Sequence, residues 1–186
     1  MRNWLANRRR IRRAANQLYE SIVAHARRPI FYTCYGVPDT VSGRFELIVL
    51  HLFIVLERLR NPEDGQAVLG QRLVETFVTT MDHELREMGV SDVSVPKKMQ
   101  RAARGCYGRL QSYSEAARSN DIQLLPAAIQ RNVFEGKVKY GEPAAYLSDY
   151  VRLALVSVQG QSIEQVIALE LGFPDPASAF RGARYE

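Results

Sequence analysis

The residue types best suited to catalysis or metal binding are His25, His51, His83, Cys34 and Cys106. A nucleophilic thiol needs a base within hydrogen-bond reach, and a metal needs three or four ligands converging on one point. The spacings supply neither pattern. The chain has no HExxH, CxxCH or CxxC, no Glu-x-x-His pair of the di-iron kind, no G-x-S-x-G elbow, no P-loop and no dinucleotide fingerprint. Cys34 and Cys106 lie 72 positions apart and read as small buried hydrophobes in a reducing compartment. His51 falls inside an apolar run and reads as a hydrogen-bonded core imidazole. His83, between Asp82 and Glu84, reads as a solvated helix residue. The chemistry expected is therefore binding, not catalysis, with no metal and no cofactor.

Charge points to a second activity. Eight arginines and one acid, Glu20, fall in residues 1–28, a local charge of +7, whereas the remaining 158 residues carry 17 basic and 19 acidic side chains. The overall +5 thus belongs to one arm. Arg8, Arg9, Arg10, Arg12 and Arg13 are its densest part and are the candidate polyanion-binding residues, joined by Lys98 and Arg101 further on. Three readings of the arm stay open: a solvated helix, an anionic membrane surface, or ribosomal RNA. No apolar core of a secretory signal is present, because arginines interrupt the segment Trp4 to Ala15.

Helical periodicity supplies the elements that must position these residues, and no strand-like alternation is convincing. Helices are expected over Trp4–Ala26, from the turn at Asp39–Ser42 to Leu59, and over Gln66–Met88 and Pro96–Arg118. Shorter ones follow at Pro126–Phe134, Ala144–Gln159 and Ser162–Leu171, the last opened by a Ser162-x-x-Gln165 capping box. Ile30 to Thr40 is expected as an extended aromatic loop bounded by Pro29 and Pro38. Gly89 is expected as a left-handed cap. The apolar run Phe45 to Leu56 makes only about 18 Å of helix against a ~30 Å hydrocarbon core, so it predicts a core helix. The fold class expected is all-α: a compact single-domain helical bundle with an extended basic N-terminal helix. Its centre is expected at the helices that begin near Ser42, Gln66 and Pro96. Residues 1–17 form the basic arm, 18–172 the helical domain and 173–186 an irregular tail.

Two surfaces remain to be explained. Phe31, Tyr32 and Tyr35 set three aromatics within five residues, which either pack on the bundle or line a groove for apolar segments. Lys97, Arg101 and Arg104 share a face of the helix from Pro96, either a solvated stripe or a second phosphate-facing surface.

The aromatic loop with Tyr35-Gly36-Val37-Pro38-Asp39-Thr40, then Gly43-Arg44-Phe45, then Asp82 with Leu85-Arg86-Glu87-Met88-Gly89, Asp92 and Val95-Pro96-Lys97 form an ordered set. Tyr107-Gly108-Arg109 and Tyr113 extend it. Together they resemble the ubiquinol–cytochrome c chaperone family, over roughly Leu18 to Leu155. The resemblance implies a non-enzymatic assembly chaperone that binds newly synthesised cytochrome b and promotes biogenesis of the bc complex. It further implies association with the ribosome and a small partner subunit. The client-binding candidates are Phe31, Tyr32, Tyr35, Asp39, Arg44, Asp82, Arg86, Met88, Asp92 and Lys97. The short lead-in before the family-like region points to a bacterial chain in the cytoplasm, peripheral to the inner membrane, with the mitochondrial matrix side as the alternative for a eukaryotic one. The competing reading is a nucleic-acid- or membrane-surface adaptor acting through the Arg-rich helix.

Overall fold

The computed structural model describes residues 2–60, 66–87, 95–168 and 171–180. Within them the chain runs α1 (Arg2–Ala26), α2 (Ile30–Thr33), α3 (Val41–Leu59), α4 (Ala67–Glu87), α5 (Val95–Arg118), α6 (Leu124–Val133), a 3-10 turn at Val138–Tyr140, α7 (Gly141–Gln159), α8 (Ile163–Ile167) and α9 (Pro176–Ala179). No strand occurs among the described residues, so the all-α class stands.

α3 is the axis of the bundle. Leu47 through Val55 are buried without a break, a helix apolar on all sides, and α1, α4, α5, α6 and α7 pack around it. Each large apolar side chain buried there contributes about 1.5–3 kcal/mol relative to an exposed one. Thr40 starts the helix: its hydroxyl accepts from the Gly43 N–H at 3.1 Å. α4 buries Leu69, Leu73, Phe77 and Met81 at four-residue steps and packs chiefly on α1. The expected centre is corrected accordingly, since α7 stands beside α3 where α4 was expected. The reason lies in α7 itself, which buries Leu147, Tyr150, Val151, Ala154 and Val158.

Prolines explain most of the boundary differences. Pro126 and Pro143 sit in the first turns of α6 and α7, where a missing N–H costs nothing, so both helices begin before the proline. Pro29 likewise opens α2, with helical φ and ψ of −54° and −30°. The expected extended loop is therefore a tight turn. Cys34 N–H donates to Ile30 O at 2.9 Å and Val37 N–H to Phe31 O at 3.0 Å. Gly36 permits the return with φ +68°. The capping box of α8 forms as expected, from Gln165 N–H to Ser162 Oγ at 3.2 Å and from Ser162 N–H to Gln165 Oε1 at 2.9 Å. Between Phe173 and Phe180 the tail carries α9, which Asp175 caps. The expected Gly89 cap lies outside the described residues.

Candidate functional site

The end of α1, the first turns of α3 and the last turns of α4 enclose an open groove of about 790 Å³. Its floor is Tyr19, Phe45, Ile48, Phe77 and Met81. Phe77 ties the floor together, with ring centroids 6.2 Å from Tyr19 and 6.0 Å from Phe45. Arg27 and Arg44 stand on one lip, Glu84 and Glu87 on the other. The helix ends reinforce both signs, because α3 presents its positive N-terminal end and α4 its negative C-terminal end. The groove is thus apolar at its base, cationic on one edge and anionic on the other. Burial pushes the Tyr19 hydroxyl up to about 12, with Glu84 adding to the effect, so it stays protonated.

Gly43 fixes the groove's α3 wall. A Cβ there would lie 2.0 Å from the Pro38 carbonyl oxygen, so only glycine lets the Val37–Thr40 turn seat against the helix. Asp39, in that turn, accepts from Arg44 Nε at 2.7 Å. Both side chains are more than half exposed, and the pair orients Arg44 more than it stabilises the fold. Tyr32 stands half-buried near the same lip, its hydroxyl raised by burial and opposed by the Arg44 charge.

Phe31 and Tyr35 go elsewhere, and their expected place on a client-facing surface is corrected. Both are fully buried. The α2 turn points them inward, onto Tyr150 at centroid distances of 5.1 and 5.9 Å. The Tyr35 hydroxyl donates to Pro176 O at 2.9 Å. Asp82 is half-buried on α4. The side chain of Arg86, residues Met88 and Asp92, and the side chains of Lys97, Lys98 and Arg101 lie outside the described residues. Arg9, Arg10, Arg12 and Arg13 are exposed along α1, as is Arg8.

Two clusters escaped the sequence reading. Glu46 is 2% exposed, and Arg109 grips it, with Nε 2.8 Å from both carboxylate oxygens and Nη2 2.7 Å from Oε1. Burial pushes the carboxyl up, and Arg109's hydrogen bonds and charge oppose this without overcoming it. The same guanidinium lies 5.9 Å from the centroid of Phe45, behind the groove floor. Tyr107-Gly108-Arg109 is therefore partly a structural motif that pins α5 to α3. Its signal was an acid interrupting an apolar run.

The second cluster joins His25, His51 and Tyr150. His51 Nδ1 lies 2.8 Å from Leu47 O, which can only accept, so that nitrogen carries the proton. His51 Nε2, 3.0 Å from the Tyr150 hydroxyl, then accepts from it. The hydroxyl has one hydrogen, so His25 Nε2, at 2.8 Å, donates to the oxygen. Burial lowers His51 to about 3 and His25 to about 4, with the neighbouring His25 and Arg28 charges acting the same way on each in turn. Phe173 covers both imidazoles, at 4.5 Å from the His25 ring and 5.3 Å from that of His51. Among the described residues no group of three His, Cys, Asp or Glu is placed to hold a metal.

A second groove, of about 820 Å³, opens between α3, α4 and α5 around Leu56, Leu59, Val74, Val78 and Tyr107. Tyr107 is 59% exposed. No helix among the described residues is long and apolar enough to cross a membrane. Fold and grooves together define a helical bundle that offers apolar troughs along one of its helices.

This chain belongs to the ubiquinol-cytochrome C chaperone family, whose sequence profile matches residues 33–173. The crystal structure of the Cbp3 homolog from Brucella abortus superposes with a TM-score of 0.82 at 35% identity, over 95% of this chain and 98% of that one. Among curated proteins, ubiquinol-cytochrome-c reductase complex assembly factor 1 of Xenopus laevis is 23% identical over 146 residues, 78% of this chain and 72% of its own. The mouse protein of that name is 24% identical over 158 residues, 85% of this chain, which spans about half (53%) of the mouse protein's length.

Proposed function

We propose that this chain is an assembly chaperone of the ubiquinol–cytochrome c reductase complex, with newly made cytochrome b as its client. The observation that carries the reading is the shared groove. Gly43-Arg44-Phe45 opens one wall and the end of α4 forms the other, and both segments carry the family likeness. A polytopic membrane protein presents apolar segments that aggregate in water, so a holder needs apolar contact area ringed by charge. The groove floor supplies the first, and Arg27, Arg44, Glu84 and Glu87 supply the second. Tyr32, Asp39 and Asp82 flank the contact, while Phe31 and Tyr35 support it from the core. The ribosome and a small partner subunit are the further partners, and the chain works without cofactor or catalysis at the cytoplasmic face of the inner membrane. The exposed Arg9, Arg10, Arg12 and Arg13 favour a second role for α1 on a polyanion, lipid or RNA.

Photocrosslinking residues placed at Val41 and Ser42 on the groove edge should capture nascent cytochrome b in cells, and one at Ala177 on α9 should not. Equal capture from Ala177, or none from the groove, would remove this site. Loss of the gene should lower the cytochrome b signal in membrane difference spectra, and unchanged spectra would remove the client.

A further inference from the structure

The arginine end of α1 adjoins exposed apolar side chains contributed by two other helices. Where α1, the first turn of α4 and α8 meet, a shallow trough of about 620 Å³ is lined by Arg10, Ile11, Val68, Leu69, Ile163 and Ile167 among others. Leu69 and Ile163 are buried, but Val68 is 55% and Ile167 39% exposed. Arg9, Arg10, Arg12 and Arg13 are all exposed on the adjoining turns of α1, and no acid precedes Glu20. Glu164 is the acid among the residues lining the trough. Aliphatic side chains at the water surface beside a fixed field of positive charge suit a partner that uses both.

RNA uses only the charge. Its phosphates bind arginine, and its bases ask for aromatic faces or hydrogen-bonding groups, not for valine and isoleucine. A bilayer uses both, since headgroup phosphates meet the guanidinium groups and aliphatic side chains enter the acyl boundary. We propose that this end of the molecule docks on an anionic lipid bilayer, with Val68 and Ile167 inserted, Arg10 on the headgroups beside them and Arg9, Arg12 and Arg13 adding attraction from the rest of the α1 circumference.

The geometry keeps this surface apart from the client groove. α1 and α4 run in the same direction, for Asn16 meets Thr76 while Ile11 lies by Leu69 and Tyr19 by Phe77. At 1.5 Å per residue, Tyr19 is about 12 Å and Arg27 about 24 Å along α1 from Ile11. The α1–α8 trough and the groove thus lie at different levels along α1. The inference deepens the polyanion part of the proposed function and is independent of the client.

Cosedimentation of the full chain with phosphatidylcholine vesicles, with and without phosphatidylglycerol, tests it beside binding to a short single-stranded RNA. Wild type should bind the anionic vesicles and leave the zwitterionic ones. Val68→Asn with Ile167→Asn, both exposed positions, should weaken vesicle binding roughly tenfold and move RNA binding by less than about twofold. Replacing the four arginines with glutamine should weaken both and flatten the salt dependence. Ile167→Trp, a gain-of-contact control, should tighten vesicle binding, and thermal melts verify that each variant is folded. Vesicle binding unchanged by the asparagine pair would overturn the inserted face. Uptake of RNA with no uptake of anionic vesicles would overturn the lipid assignment and keep the polyanion role, whereas binding of neither would end both.

Discussion

On its α7 side, α3 meets a closed, hydrogen-bonded aromatic cluster. His51 and His25 share the Tyr150 hydroxyl, Phe31, Tyr35 and Phe173 surround them, and the segment from Phe173 to Phe180 lies over the top. On its α4 side the same helix is flanked by two open grooves of about 790 and 820 Å³. A buried polar triad is costly unless every member is satisfied, so the hydrogen bonds favour one arrangement on the α7 side. The α4 side is open along both grooves, with the Glu46–Arg109 pair behind the floor, and its apolar walls offer contact area outside the core. On the proposed function, stability and binding fall to opposite faces of one helix.

Four substitutions or conditions would sharpen or break that contrast. Gly43→Ala should have the largest effect, about 3 kcal/mol or more in denaturant unfolding, because the new Cβ meets backbone, the Pro38 carbonyl, at 2.0 Å. A tolerated alanine would mean that the groove wall yields, and the open side would then be loose as well as open. Tyr150→Phe should cost about 2 kcal/mol, since it strips the partner from two imidazole nitrogens that water cannot easily reach. A melting temperature equal to wild type would show that the triad does not stabilise the α7 side.

Acid should act on the closed side next. The pKa values of both histidines are lower in the fold, at about 4 and about 3, than the ordinary 6.5, so below 6.5 the unfolded chain binds protons that the fold refuses. Their contribution is complete above 6.5 and is lost progressively as pH falls from 6.5 through about 4 for His25 and about 3 for His51. The melting temperature should decline over that window, and His25→Gln with His51→Gln should flatten the slope. An identical slope in the double variant would place the acid sensitivity elsewhere. Val41→Asp should be the mildest, within about 0.5 kcal/mol of wild-type stability, because Val41 is 72% exposed on the groove edge. It should nevertheless reduce crosslinking to cytochrome b. Full client capture by this variant would detach the groove from binding.

The sequence makes the helices legible because periodicity and caps are local: Thr40 and the Ser162–Gln165 box behave as their types require. Prolines mislead the boundaries because a proline ends one helix and tolerates the first turn of another with equal ease, as Pro29 and Pro143 show. The site is half legible. Arg44 and its Asp39 partner lie close in sequence and were readable. The long-range contacts were not: Glu46 with Arg109, 63 positions apart, and His51 with Tyr150, 99 apart, depend on how α5 and α7 pack. The Phe31–Tyr35 aromatics had the composition of a binding loop, and only the inward twist of α2 makes them core.

The clasp over the histidines also orders events in time. Arg28 Nη2 meets Asp175 Oδ1 at 2.7 Å across 147 positions of sequence, and Tyr35 closes on Pro176 across 141. Contacts so distant along the chain form only after a long loop has been closed, so they come late in folding. On a translating ribosome the histidine cluster stays uncovered until the region around Phe173 has cleared the exit tunnel. The cover over the histidines is thus finished only once the segment Phe173–Phe180 has been made, and a chain halted short of it lacks the contacts that hold Arg28 and Tyr35.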